Sequence, residues 1–212
     1  MQYKTIKRLG LKGACDEHEE EDRDRLQVEA DAALALATAR HIWNTGRIDL
    51  DYVREQTDLP ILVRLDTGRF LSERDLQADG RSNALYFWDL IADKATLAFG
   101  SEGVTEATRL ELDGVDPAIE GEFDVTLANG ETVKVATVGT LLKEQLGGWS
   151  LERTAKVTEL APKQIEKFAH GFATAKRPMV LSSWGSNRYF HSDLMNRSKI
   201  LCLSLKGAIG RK

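Results

Sequence analysis

A short turn rich in small residues lies where this chain could bind an anion. Residues 182–187 (SSWGSN) follow the apolar run 178–181 and precede a helical pattern that starts near Tyr189. A strand that leads into a helix through a glycine turn leaves backbone N–H groups free at the helix start, which suits a phosphate. The pattern therefore indicates an anion-binding turn, although many strand–turn–helix units bind nothing.

The same region also contains the groups of a hydrolase. Ser182 and Ser183 are candidate nucleophiles, and His191 and Asp193 are the candidate base and orienting acid. The serines are not placed in the G-x-S-x-G frame of a nucleophile elbow. His191 and Asp193 are too close in one helix to act as base and orienter. The sequence therefore argues against serine hydrolysis.

Composition and cysteine count exclude several other functions. The 212 residues carry a net charge of −4, which argues against nucleic-acid binding. Cys15 and Cys202 are the two cysteines, too few for a disulfide framework, and Cys15 with His18 has no second Cys/His pair to complete a zinc site. Cys202 falls in the last helical pattern, where we expect it to be buried and inert. No apolar run is long enough to cross a membrane, and residues 1–13 lack the apolar core of a secretory signal.

The elements that must position these groups alternate between helix and short strand. Asp31 precedes the helical run 32–43 and is a candidate N-cap, and residues 26–30 form a possible short strand before it. Residues 61–64, 84–88 and 178–182 have the pattern of short strands. This alternation predicts an α/β fold with a mainly parallel sheet.

A β-hairpin interrupts that alternation. Residues 122–127 and 131–135 alternate apolar and polar side chains on either side of Asn129-Gly130, which predicts a hairpin near 122–136. Residues 89–121 have little regular pattern and are expected to form a long surface excursion. Residues 1–25 are basic and then acidic, and we expect a poorly patterned N-terminal segment there, followed by an α/β domain over 26–212.

Several stretches resemble one enzyme family, in the family's order. Residues 30–43 (ADAALALATARHIW), 51–76 (DYVREQTDLPILVRLDTGRFLSERDL), 123–146 and 181–210 are similar to catalytic subunits of molybdopterin-dependent oxidoreductases of the dimethyl sulfoxide reductase family. The closest resemblance is to the branch of nitrate, selenate, perchlorate and ethylbenzene enzymes. The resemblance implies a partial doubly wound sheet with flanking helices and the inserted hairpin, and two-electron oxygen-atom transfer or hydroxylation as the parent reaction.

The resemblance also implies a cofactor and its contacts. In this family two molybdopterin guanine dinucleotides hold one molybdenum, and the acidic residue that contacts the guanosine end falls on Asp31. Glu29 and Ala30 fall where the family's loop touches the nucleotide, although the family has Gly-Thr there. The residues that match the second contact loop are Trp184, Gly185, Asn187 and Arg188. No residue matches a molybdenum ligand, so only a partial cofactor site is expected, and no catalytic residue is assigned.

The resemblance further implies partners and an origin. The family's iron–sulfur ligands have no counterpart here, so the parent's cluster is not expected to be bound by this chain. The implied partners are the rest of the catalytic subunit and an iron–sulfur electron-transfer subunit, in a periplasmic or membrane-associated parent. Both ends of the chain have the form of cuts through a larger protein, which predicts an inactive internal fragment. The alternative is a stand-alone, non-catalytic α/β module that binds a nucleotide or a protein.

Overall fold

Helices dominate the structure, a computed structural model that describes residues 20–98, 100, 112–182 and 192–210, with side chains from residue 30 onward. The described helices are α1 (Glu20–Asn44), α2 (Leu50–Gln56), α3 (Glu73–Leu76), α4 (Val138–Gly147), α5 (Leu151–Thr158), α6 (Pro162–Thr174) and α7 (Ser192–Leu205). Five short strands accompany them, so the predicted mixed α/β class is confirmed. None of the helices in these ranges is long and apolar enough to cross a bilayer.

The strands form two small sheets. They are β1 (Leu62–Arg64), β2 (Tyr86–Asp89), β3 (Lys94–Leu97), β4 (Glu122–Thr126) and β5 (Thr132–Thr137), in a three-stranded sheet of order β1-β5-β4 and a pair β2-β3. The hairpin prediction is confirmed, since β4 and β5 pair with Val125 opposite Val133 around Gly130, whose φ is +85°. Residues 61–64 and 84–88 were also correctly predicted to contain strands.

The prediction of a mainly parallel sheet is wrong for the part of the chain that the structure describes. Every strand pair there is antiparallel, including β1 with β5, where Leu62 lies opposite Thr137. The tight turn at Gly130 enforces antiparallel pairing of β4 with β5, whereas parallel neighbours need a long crossover. The alternation of helices with strands in the sequence therefore does not reflect βαβ units.

Helix α1 is the centre of the helical layer. Its alanines at 33, 35, 37 and 39 are all buried, together with Ile42 and Trp43, because α4, α5, α6 and α7 pack around it. A helix covered on several sides loses the one-sided pattern of a surface helix. The core around it also includes Val53, Leu146, Ala173, Cys202 and Leu205, whereas a second core of Leu62, Leu71, Val125 and Val135 lies between the strands.

The start of α1 differs from the prediction. Residues 26–30 are helical rather than a strand, and Asp31 lies inside α1 rather than at its N-cap, because the helix already begins at Glu20. Residues 20–30 are mostly strong helix formers, and their acidic side chains favour the positive end of the helix dipole. Residues 20–25 of the expected poorly patterned N-terminal segment are therefore helical.

Two predictions on later segments also need correction. Residues 178–182 are not a buried strand: they are irregular, with Met179 76% and Leu181 80% exposed, because no described strand lies beside them to pair with. Residues 89–121 are not simply a surface excursion, since they contain β3 and the buried Ala98, Ala118 and Ile119. Side chains cap two of the helices, with Asp49 Oδ1 accepting from Tyr52 N at 3.0 Å at the start of α2 and Ser150 Oγ from Arg153 N at 3.1 Å at the start of α5.

Candidate functional site

The one predicted site residue whose side-chain contacts are described is Asp31. Its Oδ2 atom accepts a hydrogen bond from Lys199 Nζ on α7 at 3.0 Å. The Asp31 side chain is 32% exposed and that of Lys199 is 14% exposed. The pair is thus partly buried between two helices, with the carboxylate still reachable from solvent.

Helices α1 and α7 run in the same direction. Asp31 contacts Lys199, and further along both helices the Cys202 thiol donates to Ala35 O at 3.1 Å. Ala35 follows Asp31 along α1, and Cys202 follows Lys199 along α7. The N-terminal ends of the two helices therefore lie at the same end of the pair. The chain therefore enters α7 on the same side of the molecule where Asp31 lies.

A second contact connects the end of the predicted strand to this region. Ser182 Oγ lies 3.2 Å from Asn196 Oδ1 on α7. Asn196 precedes Lys199 by three positions, so the two side chains lie on one face of the helix. Ser182, the first residue of the predicted anion-binding turn, is consequently about one helical turn from the Asp31–Lys199 pair.

The remaining predicted site residues divide into two groups. Glu29 is in α1 by its backbone and Ala30 is half-buried beside Asp31. The second-loop residues Trp184, Gly185, Asn187 and Arg188 lie outside the described residues, as do Ser183, Tyr189 and His191 of the other predictions and Cys15 with His18. Within the described ranges, no group of three His, Cys, Asp or Glu side chains is arranged to hold a metal ion.

Lys199 was missed by the sequence interpretation. The available signal was a lysine on a helix whose neighbours Met195, Ser198 and Cys202 are buried. A charged side chain on the buried side of a helix needs an opposite charge from another element. Asp31, just before the alanine-rich helical run 32–43, was the candidate for that charge.

A second charge cluster, around Arg64, is structural. Arg64 binds Asp66 through Nε at 3.2 Å and Nη2 at 2.7 Å, and Asp75 through Nη1 at 2.5 Å. Asp75 Oδ2 also accepts from Ser72 N at 2.8 Å and Ser72 Oγ at 2.7 Å. Burial raises the pKa of Asp75, but the hydrogen bonds from Ser72 and Arg64 outweigh it and lower the pKa below its usual range. These contacts connect β1 to the start of α3 and leave little capacity for a ligand.

The cations that line a cleft of about 200 Å³ beside α1 already have hydrogen-bond partners. The cleft is lined by Arg40, Trp43, Asn44, Lys143, Leu146 and Gly147. Arg40 donates to Trp149 O at 3.2 Å, and Lys143 Nζ contacts Glu120 Oε2 at 2.5 Å. Burial raises the pKa of Glu120, whereas hydrogen bonds from Lys143 and Trp43 lower it, with a net decrease. Among the described residues, Lys143 is thus paired with a carboxylate and Arg40 is engaged by a backbone carbonyl.

The thiol and imidazole groups of the helical layer are packing residues. Burial raises the pKa of Cys202 to about 12, as expected for an inert thiol. His41 meets the exposed His170 edge-to-face, with ring centroids 5.9 Å apart, and burial followed by the charge of His170 lowers the pKa of His41.

Several known proteins similar to this chain are α subunits of reductases. No family model matches the chain. The chlorate reductase subunit alpha of Ideonella dechloratans is 39% identical over 160 residues, covering 76% of this chain and 17% of the relative. The perchlorate reductase subunit alpha of Dechloromonas aromatica (strain RCB) is 32% identical and covers 77% of this chain and 20% of the relative. Over about 76% of its length, this chain is thus homologous to α subunits of the dimethyl sulfoxide reductase family.

Other members of the family extend the comparison. The respiratory nitrate reductase subunit alpha of Haloferax mediterranei is 32% identical over 183 residues, covering 82% of this chain and 18% of the relative. These relatives are catalytic α subunits of molybdenum oxidoreductases, which confirms the predicted resemblance. The chain spans about a fifth of the length of the curated relatives it matches.

Proposed function

We propose that this chain is an internal part of the catalytic α subunit of a respiratory-type molybdenum oxidoreductase and binds the guanosine end of a molybdopterin guanine dinucleotide. The observation that carries the proposal is the 39% identity to a chlorate reductase α subunit over 76% of the chain. Because that match covers 17% of the relative, a part of the catalytic subunit is the simplest interpretation. The bound cofactor would supply two-electron oxygen-atom transfer or hydroxylation.

The described side chains fit a guanine base. Guanine presents two neighbouring N–H donors, and a carboxylate has two coplanar oxygens that can accept them in a charge-assisted pair. Asp31 uses Oδ2 for Lys199, and its side chain remains 32% exposed. A carboxylate oxygen can accept more than one hydrogen bond, so Lys199 does not exhaust this capacity.

The second half of the proposed site is the turn before α7. Trp184, Gly185, Asn187 and Arg188 would contact the cofactor there, with Gly185 allowing close backbone approach and Arg188 pairing with a phosphate or a pterin carbonyl. The contact of Ser182 with Asn196 at 3.2 Å supports this arrangement, because it starts that turn close to Asp31. Glu29 and Ala30 would complete the contact from α1.

The proposal assigns no catalytic and no metal-ligating residue to this chain. The remainder of the α subunit would supply the protein ligand to molybdenum and close over the cofactor, and an iron–sulfur subunit would deliver electrons. The exposed apolar side chains of Met179 and Leu181 support such a neighbour, because an extended segment with an apolar face normally packs against another element. We therefore expect the isolated chain to have no turnover.

A stand-alone, non-catalytic α/β module is the second candidate. The observation that favours it is the buried core around α1, in which Ile42, Val53 and Leu205 have no exposed surface. A chain with such a core can unfold cooperatively. A cooperative urea transition with no guanine-nucleotide binding would favour this second candidate.

Nucleotide binding by the purified chain tests the first proposal. We expect calorimetric titration to give saturable binding of GMP, weaker binding of AMP, and a loss of GMP affinity in Asp31→Asn. Asp124→Asn is the matched control, because Asp124 is 65% exposed and lies on β4. The absence of GMP binding by the wild-type chain would contradict the proposal, and so would substrate-dependent oxidation of reduced viologen dye, since the chain should be inactive.

A further inference from the structure

We propose that Lys199 is a second base-reading residue of this site, which selects guanine by donating to the carbonyl oxygen at position 6 of the purine. This inference rests on the proposed function, because it requires Asp31 to face a guanine base. Nothing in the sequence pattern or in the family resemblance assigned a role to Lys199.

The position of Lys199 is the first argument. Its Nζ atom lies 3.0 Å from Asp31 Oδ2, so a base held by Asp31 is also within reach of the ammonium group. An ammonium carries three N–H donors, and Asp31 Oδ2 accepts one of them. Among the described residues, no other group accepts from the ammonium, which leaves its remaining N–H bonds for a ligand group beside the carboxylate.

The burial of the pair is the second argument. Lys199 is 14% exposed, so its ammonium has limited access to water, and its charge acts at higher effective strength than on an open surface. A lysine held in this way also has few alternative positions. The pair therefore places an acceptor on α1 directly beside a donor on α7, in that order.

That order matches one purine edge. Guanine presents a carbonyl oxygen at position 6, then an N–H at position 1 and an amino group at position 2. The lysine fits the carbonyl and the aspartate fits the two donors. Adenine carries an amino group at position 6, which would place a donor against the lysine ammonium. Adenine also has no N–H at position 1 and no amino group at position 2, so Asp31 loses both donors. The arrangement should therefore reject adenine through both residues, with Lys199 acting at position 6.

The contrast with the other lysines of the helical layer supports a dedicated role. Lys143 is 49% exposed and contacts Glu120 at the edge of α4. Lys206, just beyond α7, lies 3.5 Å from Arg47 O and is exposed at that contact. Lys199 is the more enclosed, and its partner is the carboxylate that the family resemblance places at the nucleotide.

The affinities for GMP, inosine monophosphate and AMP distinguish the contribution of Lys199 to base recognition from that of Asp31. Inosine monophosphate keeps the carbonyl and the N–H at position 1 but lacks the amino group at position 2. We expect Lys199→Met to weaken GMP and inosine monophosphate about tenfold each, as for one hydrogen bond to a charged group. AMP affinity should not fall, because the ammonium opposes the adenine amino group and its removal costs AMP no hydrogen bond. We expect Asp31→Asn to reduce the ratio of GMP to inosine monophosphate affinity, because only Asp31 reads the amino group.

The controls make each outcome decisive. Lys206→Met removes a lysine at the far end of α7 and should leave all three affinities unchanged, and circular dichroism verifies folding of each variant. Lys199→Arg keeps the charge and should retain most of the preference for GMP over AMP. Equal losses for all three nucleotides in Lys199→Met, or no loss for GMP, would overturn the inference while leaving the proposed function intact. Failure of the wild-type chain to bind GMP would overturn the proposed function and this inference with it.

Discussion

Two carboxylate–cation contacts of this chain differ in how completely their hydrogen-bonding capacity is used. Arg64 engages Asp66 and Asp75 with three of its nitrogens, and Asp75 accepts two further bonds from Ser72. Asp31 and Lys199 share one hydrogen bond between helices, with a third of the carboxylate side chain exposed. A saturated network stabilises a fold, whereas an incompletely used pair can still bind a ligand.

The difference has a structural origin. The Arg64 network joins neighbours that are close in the chain, on β1, the following turn and α3, so local geometry can satisfy every group. The pair of Asp31 and Lys199 joins elements at opposite ends of the sequence, separated by 168 positions. Such a contact between two long helices places the charges together through tertiary packing rather than through local chain geometry.

The largest effect on stability is expected from Asp75→Ala. The change removes three hydrogen bonds, leaves Arg64 with Asp66 alone, and removes the acidic side chain of the α3 capping box. We expect a loss of about 2–3 kcal/mol in the free energy of unfolding, measured by urea titration. Asp124→Ala, on an exposed strand position, is the control. An equal loss of unfolding free energy in Asp75→Ala and Asp124→Ala would show that the hydrogen bonds of Asp75 stabilise the fold no more than an exposed ion pair does, which would contradict the comparison.

The pH dependence of unfolding is the next prediction. The folded-state pKa of Asp75 is lowered, so its ionised form stabilises the native state above the pKa of the unfolded chain. That contribution is lost as the pH falls through the folded-state pKa. We expect Asp75→Asn to show a smaller decrease in unfolding free energy than the wild type between neutral and acidic pH. Parallel curves for the two proteins would contradict the assignment.

A smaller effect is expected from Lys199→Met. A single ion pair between partly exposed helices contributes about 1 kcal/mol or less, and methionine retains most of the apolar contact of the lysine stem. We expect a correspondingly small shift of the urea midpoint together with the loss of GMP affinity proposed above. A stability loss as large as that of Asp75→Ala would place Lys199 among the structural groups and weaken the comparison.

Local sequence signals predicted the local parts of the fold. The Asn-Gly turn at Gly130 and the strand of Leu62–Arg64 depend on a few neighbouring residues and were predicted correctly. The sheet direction was not, because antiparallel pairing of β1 with β5 depends on which distant segments meet. The start of α1 was missed because Asp31 has the chemistry of an N-cap even within a longer run of helix formers.

The site shows the same limit. Asp31 was selected by resemblance, and its partner Lys199 was missed because the parallel packing of α1 and α7 is a tertiary property. The assignment of Asp31 to a nucleotide stays a prediction, as do those of Glu29 and Ala30. What the structure adds is a physical neighbour for the carboxylate, and with it a test that separates base recognition from packing.

The smallest effect is expected from Lys134→Met on β5. Lys134 Nζ lies 3.7 Å from Asp124 Oδ1, and both side chains are almost two-thirds exposed, at 64% and 65%. Water and salt screen such a pair, and holding two long side chains together costs entropy that offsets the attraction. We expect no resolvable shift of the urea midpoint and no change in GMP affinity. If Lys134→Met nevertheless weakened GMP binding as much as Lys199→Met, the binding would depend on net charge rather than on a positioned ammonium, and the contrast between the two regions would fail.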